Sequence, residues 1–156
     1  MKPDSDRRNR RPESVLVVVH TTDNHTLLLK RTPPRSFWQS VTGSMMWGES
    51  RTETAIRELH EETGLVTKLS ELRDWKRTFK FRIPPIYRHR YEEDVQLNRE
   101  HVFSVLLPTP RPVVLQRSEH IEYRWVDIQT ARDLVWSWSN REALEMIESA
   151  ENLVSG

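Results

Sequence analysis

The chain has 156 residues, enough for one ordinary domain and too few for two. Its 24 basic and 23 acidic side chains leave a formal net charge of +1, which excludes a polycationic tail protein and a uniformly acidic unstructured chain. It contains no cysteine, so disulfide scaffolds, thiolate metal sites and cysteine nucleophiles are excluded as well.

The longest apolar run, Val15 to Val19, is far short of the roughly 20 residues a membrane-crossing helix needs, so no membrane partner is expected. Residues 1–12 are polar and basic with no apolar segment of the kind a secretory leader carries, which points to a cytoplasmic protein. Apolar residues make up 36%, below the roughly 45–50% of an average globular domain, and six tryptophans offset part of that shortfall. Nineteen of the 24 basic residues are arginine, the side chain suited to bidentate contact with phosphate or carboxylate.

In chain order, residues 1–10 read as a basic, mobile arm, and residues 11–156 as a single domain. Glu13 to His20 is β-branched and fits a buried strand; Thr26 to Arg31 fits a second strand after a polar turn. Phe37 to Thr42 predicts a short strand. Thr52 to Thr63 has helical spacing and stops at Gly64, a natural helix-ending residue. Trp75 to Ile83 alternates as a strand and is expected to continue beyond Pro84-Pro85. His101 to Leu107, Pro112 to Leu115 and Glu122 to Val126 are further predicted strands. Asp127 fits the N-cap of a short helix, and Ser139 with Glu142 forms a capping-box pattern ahead of a last helix over about 140–154. Strands alternating with about three helices predict an α/β domain with a mixed sheet.

One helix carries chemistry. At roughly 100° per residue, Ala55, Ile56, Leu59 and Thr63 share one sector, and Glu58, Glu61 and Glu62 share the adjoining one. Three like charges so close repel, which calls for a compensating cation, and oxygen-only ligands favour Mg²⁺ or Mn²⁺. Arg57, four residues before Glu61, is placed to hold that carboxylate. A bare acidic helix face would usually be solvated, and the longer frame is what gives this one meaning. Gly43, Glu49, Arg57, Glu58, Leu59, Glu61, Glu62, Gly64 and Leu65 satisfy the pattern G-x5-E-x7-R-E-U-x-E-E-x-G-U over 23 residues. The sequence thereby resembles the Nudix hydrolase superfamily, whose members cleave nucleoside diphosphates linked to another group in a divalent-metal-dependent reaction.

That resemblance implies a Nudix α/β/α sandwich with a mixed β-sheet between helices. It implies Glu58 and Glu62 as metal ligands, Glu61 as a third ligand or the general base, and Glu49 as a supporting carboxylate, with Mg²⁺ or Mn²⁺ as cofactor. Glu61 and Glu62 are thus the catalytic candidates. The flanks, from Phe37-Trp38-Gln39-Ser40-Val41-Thr42-Gly43-Ser44 through Asn98-Arg99-Glu100 to Ser137-Trp138-Ser139-Asn140-Arg141, resemble the bacterial Nudix enzymes that release pyrophosphate from dihydroneopterin triphosphate. By this likeness Glu119 is a further metal ligand, and Arg10, Arg31, Thr42 and Ser137 bind substrate. A broader nucleoside triphosphate pyrophosphatase, acting on dATP or oxidised nucleotides, is the alternative. Trp38, Trp125 and Trp138 are either core or the walls of a pocket for a flat heterocycle. The seven basic residues between Arg73 and Arg90 form either a triphosphate groove or a solvated strand face. The expected partner is a small-molecule triphosphate rather than a nucleic acid, bound by a monomer.

Overall fold

The computed structural model describes residues 9–155; most of the expected arm, with Arg7 and Arg8, lies outside the described residues. Strand β1 (Glu13–Thr21) is the axis of the fold. It runs parallel to β6 (Leu97–Leu107) along its whole length, from Glu13 opposite Arg99 to Thr21 opposite Leu107. Its other edge pairs antiparallel with β4 (Val41–Ser44), Val15 facing Gly43, and further along meets β2 (His25–Arg31) at His20 and Thr26. Strand β2 in turn pairs with β3 (Trp38–Gln39) and β7 (His120–Asp127), while β5 (Leu72–Arg82) pairs antiparallel with β6. A seven-stranded mixed sheet results.

Because side chains alternate along a strand, β1 feeds two cores. Val15, Val17 and Val19 pack with Leu27, Leu29 and Phe103 beneath helix α1 (Arg51–Thr63), which contributes Ala55 and Leu59. Leu16 and Val18 pack with Leu28 and Val102 beneath α2 (Ile128–Leu134) and α3 (Trp138–Ser155), which contribute Ala131, Ala143, Leu144 and Ile147. The unbroken valine run is the signature of a strand buried on both faces, and the expected three-layer sandwich is the outcome.

Helix α1 begins and ends on strong signals. Ser50 caps its N-terminus in a reciprocal capping box with Glu53. Gly64 closes the other end at φ 76°, a left-handed conformation that glycine adopts without strain. Asp127 caps α2 as expected, accepting from the Thr130 N–H.

Five local expectations are corrected. The stretch Phe37 to Thr42 divides at Ser40, whose N–H is taken by the Asn140 side chain at 2.9 Å and not by a neighbouring strand. The chain beyond Pro84 is a 3-10 turn (Pro85–Arg90), since consecutive prolines supply no N–H for a ladder. Residues 112–115 form no strand; Val113 and Leu115 still reach the core, and Val114 N–H bonds only Thr63 O at the end of α1. The alternation of β5 is interrupted by a register shift between Asp74 and Thr78, with Lys76 at φ 52°. Helix α3 starts earlier than expected, so Ser137 is its capping side chain, accepting from Asn140 N–H at 3.1 Å, and Ser139 sits buried in the first turn.

Candidate active site

Helix α1 lies against β4, and the contact is tight for a reason visible in the sequence. A Cβ on Gly43 would fall inside the Glu58 carboxyl group, so only glycine lets the strand pass this carboxylate. The loop between Gly43 and Ser50 is then pinned to the helix by Arg57. Its Nε and one Nη contact both oxygens of Glu49 at 2.7 and 2.9 Å. Its other Nη reaches Glu58 at 2.8 Å and Glu61 at 3.3 Å, while the Nη on Glu49 also donates to Ser44 O at 3.1 Å. The expected Arg57–Glu61 pair is present, yet it is the longest contact of a hub whose main work is the bidentate hold on Glu49.

That hub sorts the carboxylates electrically. The Arg57 bonds hold Glu49 down at about 2, well below an ordinary glutamate, against the opposing effect of burial. Glu58 is pushed the other way, up to about 7, chiefly by burial, with Arg57 opposing and the charges of Glu62 and Glu61 adding to it. Glu62 is buried, and its Oε2 faces His120 Nδ1 at 2.6 Å in a contact too poorly aligned to count as a hydrogen bond. Gln39 lies against the other ring nitrogen of His120 at 3.1 Å. Glu61, by contrast, is 44% exposed.

Glu58, Glu61, Glu62 and Glu119 all line one cavity of about 700 Å³. Arg10, Arg31, Arg35, Arg57 and Arg90 line it too. Glu119 is bound to Arg31 at 2.6 Å. No three of these carboxylates, or other such groups, converge into a ready-made cation site among the described residues. Glu58 is tied to Arg57, Glu62 faces His120 and Glu119 is held by Arg31, so the predicted ligands share a cavity without sharing a centre. The donor set nevertheless fits a hard divalent cation: oxygen-only, lining one cavity, with the buried Glu62 Oε2 lacking a well-formed hydrogen bond.

A second cavity of about 550 Å³ adjoins the first and shares Arg10, Arg35, Gln39, Thr42, Gly43, Ser44 and Arg90 with it. Its remaining wall is largely apolar, built from Phe81, Ile83, Tyr87, Trp136 and Trp138. The expected substrate residues divide between the two: Arg31 lines the first, Ser137 the second, and Arg10 and Thr42 both. Of the three tryptophans proposed as pocket walls, Trp138 is one. Trp38 packs against the second core cluster between Lys30 and Arg124, and Trp125 packs against the first while donating to Arg111 O.

The basic run from Arg73 to Arg90 is mostly not a groove. Arg73 stacks on Trp75 and Arg77 lies over Phe79 beside Glu142, leaving only Arg82 and Arg90 at a cavity wall. The cavity arginines come instead from distant segments, Arg10, Arg31 and Arg35 among them, because the sheet brings their strand ends together. Arg10 is set there by backbone pairing, its N–H donating to Arg90 O at 2.7 Å. Arg11 anchors the same segment by bonding Met46 O and Glu49 O, while Trp47 donates to Asn9 O. Arg35, Trp136 and Glu100 escaped prediction as site residues. Only Glu100 had a signal, its place in the quoted Asn98-Arg99-Glu100 segment.

A sheet sandwiched by helices, with a glutamate-bearing helix locked to a glycine-containing strand by one arginine, defines the architecture of a Nudix protein. The match to the NUDIX domain spans residues 10–147, and the chain belongs to that family. It is 41% identical over 143 residues to the dihydroneopterin triphosphate diphosphatase of Escherichia coli strain K12, covering 90% of this chain and 94% of that one. The enzyme of the same name from Haemophilus influenzae is 37% identical over 138 residues, covering 85% of each. Among solved structures, the E. coli dihydroneopterin triphosphate pyrophosphohydrolase superposes with a TM-score of 0.79 at 40% identity, covering 88% of this chain and 95% of that chain.

Proposed function

We propose that the chain hydrolyses 7,8-dihydroneopterin triphosphate to the monophosphate and pyrophosphate, a reaction of folate biosynthesis carried out in the cytoplasm. The observation that carries this reading is the junction of an arginine- and glutamate-lined cavity with an aromatic-walled one. A triphosphate suits the first and a flat heterocycle the second. The likeness to the E. coli and H. influenzae enzymes supports the same substrate.

In this reading the bond between the α- and β-phosphates breaks as water adds to phosphorus, the water proton passes to a carboxylate and pyrophosphate leaves. Glu58, Glu62 and Glu119 would hold a divalent cation, for which Mg²⁺ is the proposal and Mn²⁺ a substitute. When bound, such an ion neutralises phosphate charge and makes water more acidic. Glu61, half-exposed and engaged by Arg57 only at 3.3 Å, is the carboxylate with room to take the proton. Glu62, buried against His120, is suited to hold charge in place. Arg31 and Arg10 supply positive charge to the phosphates, Thr42 a hydroxyl where the cavities meet, and Ser137 a hydroxyl at the heterocycle end. Ser137 already caps α3, so substrate contact would use the remaining capacity of its hydroxyl.

The test is a kinetic panel of dihydroneopterin triphosphate, dATP and an oxidised nucleoside triphosphate, with products identified by mass spectrometry. A kcat/KM highest for the pterin, with pyrophosphate and the monophosphate as products, is expected. A value for dATP equal to or above it would overturn the reading in favour of a general nucleotide pyrophosphatase.

A further inference from the structure

Strand β6 places one acid where the hydrolytic chemistry has no use for it. Glu100 lies two residues after Asn98 on the strand and sits opposite Ser14 of β1 and Phe79 of β5, between those two strands. It is 7% exposed, and its Oε1 has no hydrogen-bond partner among the described residues. A buried acceptor left unmade costs roughly 1–3 kcal/mol, more for a charged one, so its retention calls for an explanation. Burial raises its carboxyl to about 7, with the Ser139 side chain pulling the other way. No basic side chain pairs with it among the described residues.

This carboxylate lines the aromatic cavity, together with Phe81, Trp138 and Asn140, and does not line the glutamate-lined one. In its ionised form a carboxyl at the wall of an apolar pocket only accepts, and so selects a ligand edge made of donors. The ring N–H and exocyclic amino group of a 2-amino-4-oxopyrimidine ring form such an edge. Dihydropterins and guanine share it, whereas adenine presents a donor beside an acceptor and hypoxanthine lacks the amino group.

We propose that Glu100 is a specificity-determining residue that accepts hydrogen bonds from the N–H and amino edge of a 2-amino-4-oxo heterocycle seated between Trp138 and Phe81, while the triphosphate lies in the neighbouring cavity. The inference rests on the proposed pterin substrate for its biological meaning, but the recognition chemistry is the same for guanine. Glu100 lies apart from the metal and proton carriers, so its removal acts on binding of the ring.

The experiment measures kcat and KM of the wild type and Glu100→Gln on dihydroneopterin triphosphate, GTP and ITP, the last two differing only in the 2-amino group. The wild type is expected to favour GTP over ITP at least tenfold. Glu100→Gln is expected to bring that ratio to within about twofold, to lower kcat/KM for the pterin and GTP by 10- to 100-fold mainly through KM, and to lower it several-fold less for ITP, which offers only the ring N–H. Unchanged preferences in a variant that turns over ITP normally would overturn the proposal. So would an equal loss on all three substrates, which marks a purely structural role. Should Glu100→Gln not fold, Glu100→Met tests the same ratios with an apolar side chain of similar length. If the wild type prefers GTP to the pterin, the substrate reading of the preceding section falls, while the GTP-to-ITP ratio still tests Glu100.

Discussion

Two residues of the site do opposite things with very little material. Gly43 acts by lacking a side chain: the Glu58 carboxyl occupies the space its Cβ would take. Gly43→Ala should therefore displace Glu58 and cut kcat by at least 100-fold while leaving the unfolding temperature within a few degrees, readable from parallel turnover and thermal-melt measurements. In the proposed mechanism Glu62 contributes a carboxylate held in a buried position beside His120. Glu62→Gln keeps the shape and removes the charge, so kcat should fall by orders of magnitude in a protein that still folds. Near-wild-type turnover of folded Glu62→Gln would contradict its role as a ligand.

At the scale of elements, the decisive joint is between α1 and the loop that precedes it. The bidentate Arg57–Glu49 pair spans that joint and is only partly exposed, at 22% and 14%. Glu49 is held down at about 2, against an ordinary value of 4.5. A carboxylate with a lowered folded-state pKa stabilises the fold above the unfolded value, and that contribution is lost as pH falls through the folded one. Stability should decline between about pH 4.5 and 2 by an amount on the order of 3 kcal/mol from this group. In Arg57→Ala the pair is broken: the protein should melt several degrees lower at pH 7, and its acid sensitivity in that window should flatten. Denaturant titrations of both proteins across pH 2–7 would check the sign and the size.

Across the whole molecule, the proposed site joins segments far apart in the chain. Arginines from near the N-terminus, from the end of β2 and from the turn after β5 line one cavity with glutamates from α1 and from the loop before β7. Opposed charges of that kind are arranged for a highly anionic ligand and a cation to share. EDTA should accordingly abolish hydrolysis and added Mg²⁺ restore it, measured as pyrophosphate release; full activity in chelator would sink the mechanism. Among the described residues no helix is long and apolar enough to cross a membrane.

Much of this was legible without coordinates because its physics is local. The valine run announced a buried strand, Gly64 marked the end of the helix, and the spacing of Glu58, Glu61 and Glu62 put three acids on one sector. Propensity, capping and helical periodicity act over a few residues, so one sequence carries them whole. The misreadings share a different cause. Residues 112–115 alternate like a strand yet find no partner, and Ser40 gives its N–H to Asn140, a hundred residues away. Arg57 chooses Glu49 over its helical neighbour Glu61 because the loop folds back onto the helix. Glu100 reads as one more polar residue in a strand, and only the packing of β1, β5 and α3 around it makes it a buried acceptor at the wall of an aromatic cavity. Pairing partners, burial and the meeting of distant charges are properties of the closed chain, and the tertiary structure alone decides them.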